Sequence, residues 1–283
     1  MRCLLFVLLM LIASRGVPAA CVVTARTEVP LEVTGGTIFV EVMINGRPAR
    51  MVLDTGAQRS VVTRAAVARL DLALDEWVAT TMRGVGGLER NRNALPRSLA
   101  LGGIALVRRT LTHDTSLTVA TLPNDTRAGR AIDGLLGRDF LAPFDLSLEL
   151  PARTLTLYSV EACQGAFLPW PQPYSALPVQ NPMDTALSVQ VEIDGIPLRA
   201  LLDTGASTTL IAAPGMARLG LTAETMAQAP SRAMAGLGPR TIATQSRQFR
   251  TMRIGGEVCK TACKPFQIPG VNSAQKFPPW SMR

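Results

Sequence analysis

Ile44-Asn45-Gly46-Arg47-Pro48-Ala49-Arg50-Met51-Val52-Leu53-Asp54-Thr55-Gly56-Ala57 occurs twice in this chain, with changes. The second version is Ile193-Asp194-Gly195-Ile196-Pro197-Leu198-Arg199-Ala200-Leu201-Leu202-Asp203-Thr204-Gly205-Ala206, at a constant offset of 149 residues. The register extends outward: Ala68-Arg69-Leu70-Asp71-Leu72 falls on Ala217-Arg218-Leu219-Gly220-Leu221. After small insertions, Met82-Arg83-Gly84-Val85-Gly86 falls on Met234-Ala235-Gly236-Leu237-Gly238, and Leu101-Gly102-Gly103 on Ile254-Gly255-Gly256. Four blocks kept in order mean a duplicated lobe.

Each copy reads as β structure. Thr37 to Ile44 is rich in branched and aromatic residues, Asn45-Gly46 supplies a hairpin turn, and Ala49 to Leu53 is the return strand that delivers Asp54. Leu187 to Ile193, Asp194-Gly195 and Leu198 to Leu202 repeat this and deliver Asp203. Short helices are expected at Thr63–Leu70 and Ala213–Leu219, and Gly84-Val85-Gly86-Gly87 and Gly236-Leu237-Gly238 read as hairpin tips. The fold class is all-β: two pseudo-symmetric β-barrel lobes with short helices.

An Asp-Thr-Gly after one strand can be a plain turn, since all three are ordinary turn residues. Two copies at matching points of a duplicated lobe are different, because two-fold symmetry brings equivalent residues face to face. Asp54 and Asp203 would then meet. Two carboxylates about 3 Å apart cannot both ionise, so they share a proton. Such a pair can activate a water, donate to a carbonyl oxygen and protonate a leaving nitrogen. Thr55 and Thr204 can lock the turns across the axis, while Gly56 and Gly205 permit close backbone approach.

The paired Asp-Thr-Gly-Ala motifs resemble those of aspartic peptidases. The compact lobes resemble the retroviral (retropepsin-like) type fused head to tail, as in bacterial two-lobe proteins. Ala131-Ile132-Asp133-Gly134-Leu135-Leu136-Gly137-Arg138-Asp139-Phe140-Leu141 strengthens the resemblance, which covers Glu32 to Tyr158 and Leu187 to about Gly256. In that family an apolar-apolar-Gly segment, here Leu135, Leu136 and Gly137, packs behind the catalytic turn, and a short helix follows. The resemblance further implies an Asp54–Asp203 dyad, with Thr55, Gly56, Thr204 and Gly205 in support. Met82, Gly84, Val85, Gly86, Gly236, Leu237 and Gly238 would lie on flaps closing over a peptide.

The supporting block has no visible second copy. The running offset reaches 153 at Gly102 and Gly255, which would put the counterpart of Ile132 at 285, so lobe two reads as incomplete. The tail also changes composition. All three Lys (Lys260, Lys264, Lys276) follow Gly256, while the first 256 residues hold 25 Arg. This reads as a reading-frame shift near Val258; the other reading is a genuine divergent C-terminus.

The expected division is a signal peptide at 1–20, lobe one at 21–163, a proline-rich linker at 164–180 and lobe two at 181–283 with an atypical tail from about 258. Arg2, the apolar run Leu4–Ala13 and the small residues Val17-Pro18-Ala19-Ala20 form a secretory signal, too short to span a bilayer. Export to a periplasmic or secreted setting follows, with no stable span after cleavage; an uncleaved anchor is the alternative. In an oxidising compartment Cys21 and Cys163, which bracket lobe one, can pair; two buried free thiols are the alternative. Cys259 and Cys263 have no His nearby, so no metal site is expected.

The net charge of the 283-residue chain is +8, yet its Arg are scattered without aromatic interleaving, so no nucleic-acid partner is expected. The single His, His113, excludes His-pair metal motifs and reads as a flanking residue. Arg138 and Asp139 read as a structural pair. Nothing calls for a cofactor. The leading expectation is an exported aspartic endopeptidase acting on peptides or proteins as a monomer with its lobes paired. A non-catalytic peptide-binding or scaffold protein is the alternative, and pairing of lobe one with a second lobe one is a third possibility.

Overall fold

The structure is a computed structural model. It describes residues 22–106, 115–122, 126–127, 129–161, 174–179, 186–260 and 266–269. Cys21, Cys163, His113 and the prolines of Pro169–Pro173 lie outside the described residues.

The chain is mostly β, in two lobes. Each lobe is founded on the hairpin read from the repeat. Thr37–Ile44 pairs antiparallel with Arg47–Leu53, and Ser188–Ile193 with Ile196–Leu201. The turns need φ > 0 at both central residues, and Asn45 (φ 51°), Gly46 (φ 74°), Asp194 (φ 47°) and Gly195 (φ 83°) supply it. The expected helices form at Arg64–Arg69 and Ala213–Arg218. Thr63 caps the first, accepting from the Ala66 amide; Ala212 has no side chain for that role.

The lobes diverge at one element. In lobe one Gly134–Leu136 lies between Arg47–Leu53, to which it is parallel, and Val61–Val62, to which it is antiparallel. It thereby joins the hairpin to the long strands Ala73–Gly84 and Gly87–Leu95 in one ten-stranded sheet, an open path ending at Ile104–Ala105. In lobe two no described strand takes this place, and the sheet is split. Four strands (Ile196–Leu201, Ser188–Ile193, Thr251–Ile254, Glu257–Lys260) form one part, and three (Ser231–Ala235, Thr241–Arg247, Phe266–Pro269) the other.

The plan of lobe two continues past the change in composition near Val258. Glu257–Lys260 pairs with Thr251–Ile254 as Ile104–Ala105 pairs with Leu99–Leu101. Phe266–Pro269 pairs with Thr241–Arg247 as Leu117–Val119 pairs with Gly87–Leu95 in lobe one. Phe266 and Ile268 are buried in the lobe-two core, with Phe266 edge-on to Phe249 at 5.3 Å. The compositional break therefore does not coincide with a break in the fold, because the residues after it supply core side chains. Cys259 is engaged in a disulfide.

The main core of lobe one includes Val42, Ile44, Met51, Leu53, Leu136, Phe140, Leu155 and Leu157; that of lobe two is smaller. A separate sheet orders Val22–Pro30, Thr154–Glu161 and Asp145–Glu149, and sets Val22 opposite Glu161. Among the described residues no helix is long and apolar enough to cross a membrane.

Candidate active site

Asp54 and Asp203 each leave the end of a hairpin strand and enter a tight Thr-Gly turn. The turns fold locally around their own carboxylates. Asp54 Oδ1 accepts from the amides of Gly56 (3.0 Å) and Ala57 (2.8 Å), and Asp203 Oδ1 from those of Gly205 (2.9 Å) and Ala206 (3.2 Å).

The two turns then clasp each other. Thr55 Oγ1 donates to Leu202 O and Thr204 Oγ1 to Leu53 O, both at 2.7 Å. Each hydroxyl also accepts from the opposite threonine amide, both at 3.1 Å. Four bonds thus tie lobe to lobe through two side chains. The glycines make room for the carboxyls: a Cβ on Gly56 would stand 2.6 Å from Asp203 Oδ2, and one on Gly205 2.6 Å from Asp54 Oδ2. A methyl at either position would collide with the facing carboxyl.

The carboxyl groups of Asp54 and Asp203 face each other across the clasp, each seated against the turn glycine of the opposite lobe. Burial, then the charge of Asp203, pushes the Asp54 carboxyl from 3.8 up to about 7; the amides of Ala57 and Gly56 oppose this without overcoming it. Asp54 therefore keeps its proton across the acidic range. The arrangement can activate a water with one oxygen while donating from another.

The hairpin tips expected to act as flaps meet each other. The Met82–Gly84 arm and its Gly87–Leu95 partner form the first hairpin; Ser231–Ala235 and Thr241–Arg247 form the second. The tips interlock: the Gly86 amide donates to Leu237 O (2.9 Å) and the Arg240 amide to Gly86 O (3.1 Å). Gly238 donates to Thr121 O at 3.0 Å. Gly84 passes so close that a Cβ would lie 2.3 Å from Leu237 O, and Val85 similarly abuts Gly236. Met82 and Leu237 pack on the Phe39, Val52, Val61 and Leu135 cluster.

Leu135, Leu136 and Gly137 stand directly behind the first turn. Leu136 O accepts from the Asp54 amide at 3.0 Å, and the Arg138 amide donates to Ala57 O at 2.9 Å. The sequence reading missed the polar lock that completes this support. Ser60, fully buried, donates its amide and hydroxyl to Asp139 and accepts from the Gly137 amide at 2.8 Å. Asp133 was missed too: it accepts from the Arg50 amide at 2.8 Å and pairs with Arg69 at 2.7 Å. Both acids lie within the quoted block, and their spacing around Gly-Leu-Leu-Gly was the available signal.

The profile of the family described as Aspartyl protease matches residues 40–140 and 189–263. The chain belongs to the aspartyl protease family. The match spans both Asp-Thr-Gly turns of this protease-family chain and continues beyond Val258. Among solved structures, a retropepsin-like aspartic protease from Rickettsia conorii is 15% identical, covering 48% of this chain and 93% of its own, with a TM-score of 0.31. The aspartic proteinase from Irpex lacteus is 13% identical, covering 83% of this chain and 78% of its own, with a TM-score of 0.46. No curated protein sequence matches.

Proposed function

We propose that this chain is an exported aspartic endopeptidase whose Asp54–Asp203 dyad activates water to hydrolyse peptide bonds. The observation that carries the reading is the meeting of the two carboxyls across clasped threonine turns, with Asp54 holding its proton up to about pH 7. In the singly protonated dyad, the ionised oxygen takes a proton from a bound water as that water attacks the scissile carbonyl. The protonated partner donates to the carbonyl oxygen. The resulting diol collapses when the dyad delivers a proton to the departing nitrogen. The flap tips, already hydrogen-bonded to each other, would part to admit the peptide and close over it to exclude water.

Both carboxylates come from one chain, so a monomer with intramolecular lobe pairing is the working form. The lobe boundaries at 21–163 and 181–283 go with this reading. Export is supported by the Leu4–Ala13 run and the small residues that follow it. A second reading, a peptide-binding protein that keeps the cleft without turnover, is favoured by the bare strand behind Asp203, where Leu202 is 54% exposed.

The test is turnover of a peptide library by the purified chain. Cleavage blocked by a statine-type inhibitor supports the peptidase; inhibitor binding without any cleavage supports the second reading.

A further inference from the structure

Glu89 ties together three parts of the molecule. It lies on the return strand of the first hairpin, opposite Met82. Its Oε2 accepts from the Thr121 amide at 2.8 Å and its Oε1 from the Thr121 hydroxyl at 3.0 Å. Thr121 follows Ala120, a buried member of the apolar cluster, whose own amide donates to Val62 O at 3.0 Å. The Thr121 carbonyl then accepts from Gly238, on the tip of the second hairpin, at 3.0 Å. The carboxylate is rooted on its other side as well. Asn91 Nδ2 donates to Glu89 Oε1 at 2.7 Å, and Asn91 Oδ1 accepts from Arg64, the first residue of the helix Arg64–Arg69. Burial works against a charge here, but the Thr121 amide and the Asn91 side chain outweigh it and hold the Glu89 carboxyl below its ordinary value.

The two hairpins differ in this respect. Ile242 opposes Met234 as Glu89 opposes Met82, and its buried side chain has no oxygen to offer. Lobe one therefore grips the tip of the second hairpin with its own body, whereas the bonds of Gly86 run from tip to tip. Leu237 is held on both sides by this arrangement. Its carbonyl accepts from the Gly86 amide, the following amide donates to Thr121, and its side chain packs on the lobe-one cluster. A carboxylate with two bonds to Thr121 fixes the place of the Thr121 carbonyl, and with it the place of the tip.

We propose that Glu89 is a positioning residue that latches the second hairpin tip to lobe one through Thr121 and so holds the flap pair shut over a bound peptide. It works through Thr121 and Gly238 and not on the dyad. The latch is a property of the free chain; its use in holding a peptide rests on the peptidase reading.

Amide exchange of the full chain without peptide reads the latch directly. Glu89→Ala should speed exchange at residues 237–240 at least about tenfold, with Gly56 and Gly205 unchanged. Glu89→Gln keeps an oxygen for the Thr121 amide and should restore most of the protection. Thr121→Val should give a smaller acceleration alone and none further in the Glu89→Ala chain, as for two members of one bond network. A statine-type inhibitor should leave Glu89→Ala about tenfold faster than wild type, and cleavage should lose through KM, with kcat within about twofold. Unchanged exchange at 237–240 overturns the proposal. So does acceleration that spreads to the dyad turns, or that Glu89→Gln fails to reduce, since either marks a structural loss. Fast exchange with unchanged inhibitor release, or a loss carried by kcat alone, overturns the role in holding the peptide. The expected exchange and release in a chain that cleaves nothing leave the latch standing and remove the peptidase reading alone.

Discussion

Leu53-Asp54-Thr55-Gly56-Ala57 and Leu202-Asp203-Thr204-Gly205-Ala206 are the same five residues in two environments. Around the turn the lobes match: each threonine hydroxyl donates at 2.7 Å and accepts at 3.1 Å. One residue earlier they part, with Leu53 fully buried and Leu202 more than half exposed. The turn is made by bonds inside the motif and by the identical motif opposite, so equal sequence gives equal geometry. Burial of the strand depends on a partner 83 residues away in lobe one, Leu53 opposite Leu136, and no described residue plays that part in lobe two. A motif thus specifies its own turn, and the strand behind it is specified elsewhere.

The largest effect tests the part the lobes share. If the dyad works as an equal pair, Asp54→Asn and Asp203→Asn should each lower kcat/KM by about 10³-fold or more, the scale of a lost acid–base group. Circular dichroism should show the fold intact in both. Substantial activity in either variant would break the symmetry and leave one acid as the catalyst.

The next effect tests the part they do not share. Leu53→Ala should cost about 2–5 kcal/mol, as for a buried leucine, while Leu202→Ala should stay within about 0.5 kcal/mol. Denaturant unfolding of both variants gives the comparison directly. Equal losses would mean that something covers Leu202 in solution.

The clasp comes next in size. Thr55→Val and Thr204→Val each strand a carbonyl and an amide at the lobe interface, costing about 1–3 kcal/mol. The two losses should be alike despite the unequal strands behind them, and Thr→Ser should recover most of each. A loss confined to Thr55→Val would show that lobe one alone holds the pair.

These contrasts explain what the sequence made legible. The Asn-Gly and Asp-Gly hairpins, both helices, the flap tips and the meeting of Asp54 with Asp203 could all be read, because each rests on a local signal repeated at a fixed offset. The Ser60–Asp139 lock and the Asp133–Arg69 pair were not, because they join residues 79 and 64 positions apart that no local pattern connects. In the tail, the alternation of Phe266 and Ile268 fits a core strand, although the composition changes there.

The smallest effect is a dependence on pH that only the shared site should generate. Burial and the charge of Asp203 raise the Asp54 carboxyl from 3.8 to about 7 in the folded chain. The native state therefore holds this proton more tightly than the unfolded chain does, and stability falls where the unfolded chain would release it first. The contribution is fully present below about pH 3.8 and is lost progressively as pH rises through about 7. Asparagine has no proton to lose. Asp54→Asn should accordingly match wild type in Tm near pH 3.5 and exceed it above pH 7, by an amount on the order of a few °C. Peptide cleavage by wild type should decline over the same upper range, as the shared proton leaves the dyad. A Tm difference that is flat across this window would mean that Asp54 is not protonated against Asp203. The two turns would then be alike in shape without being coupled in charge.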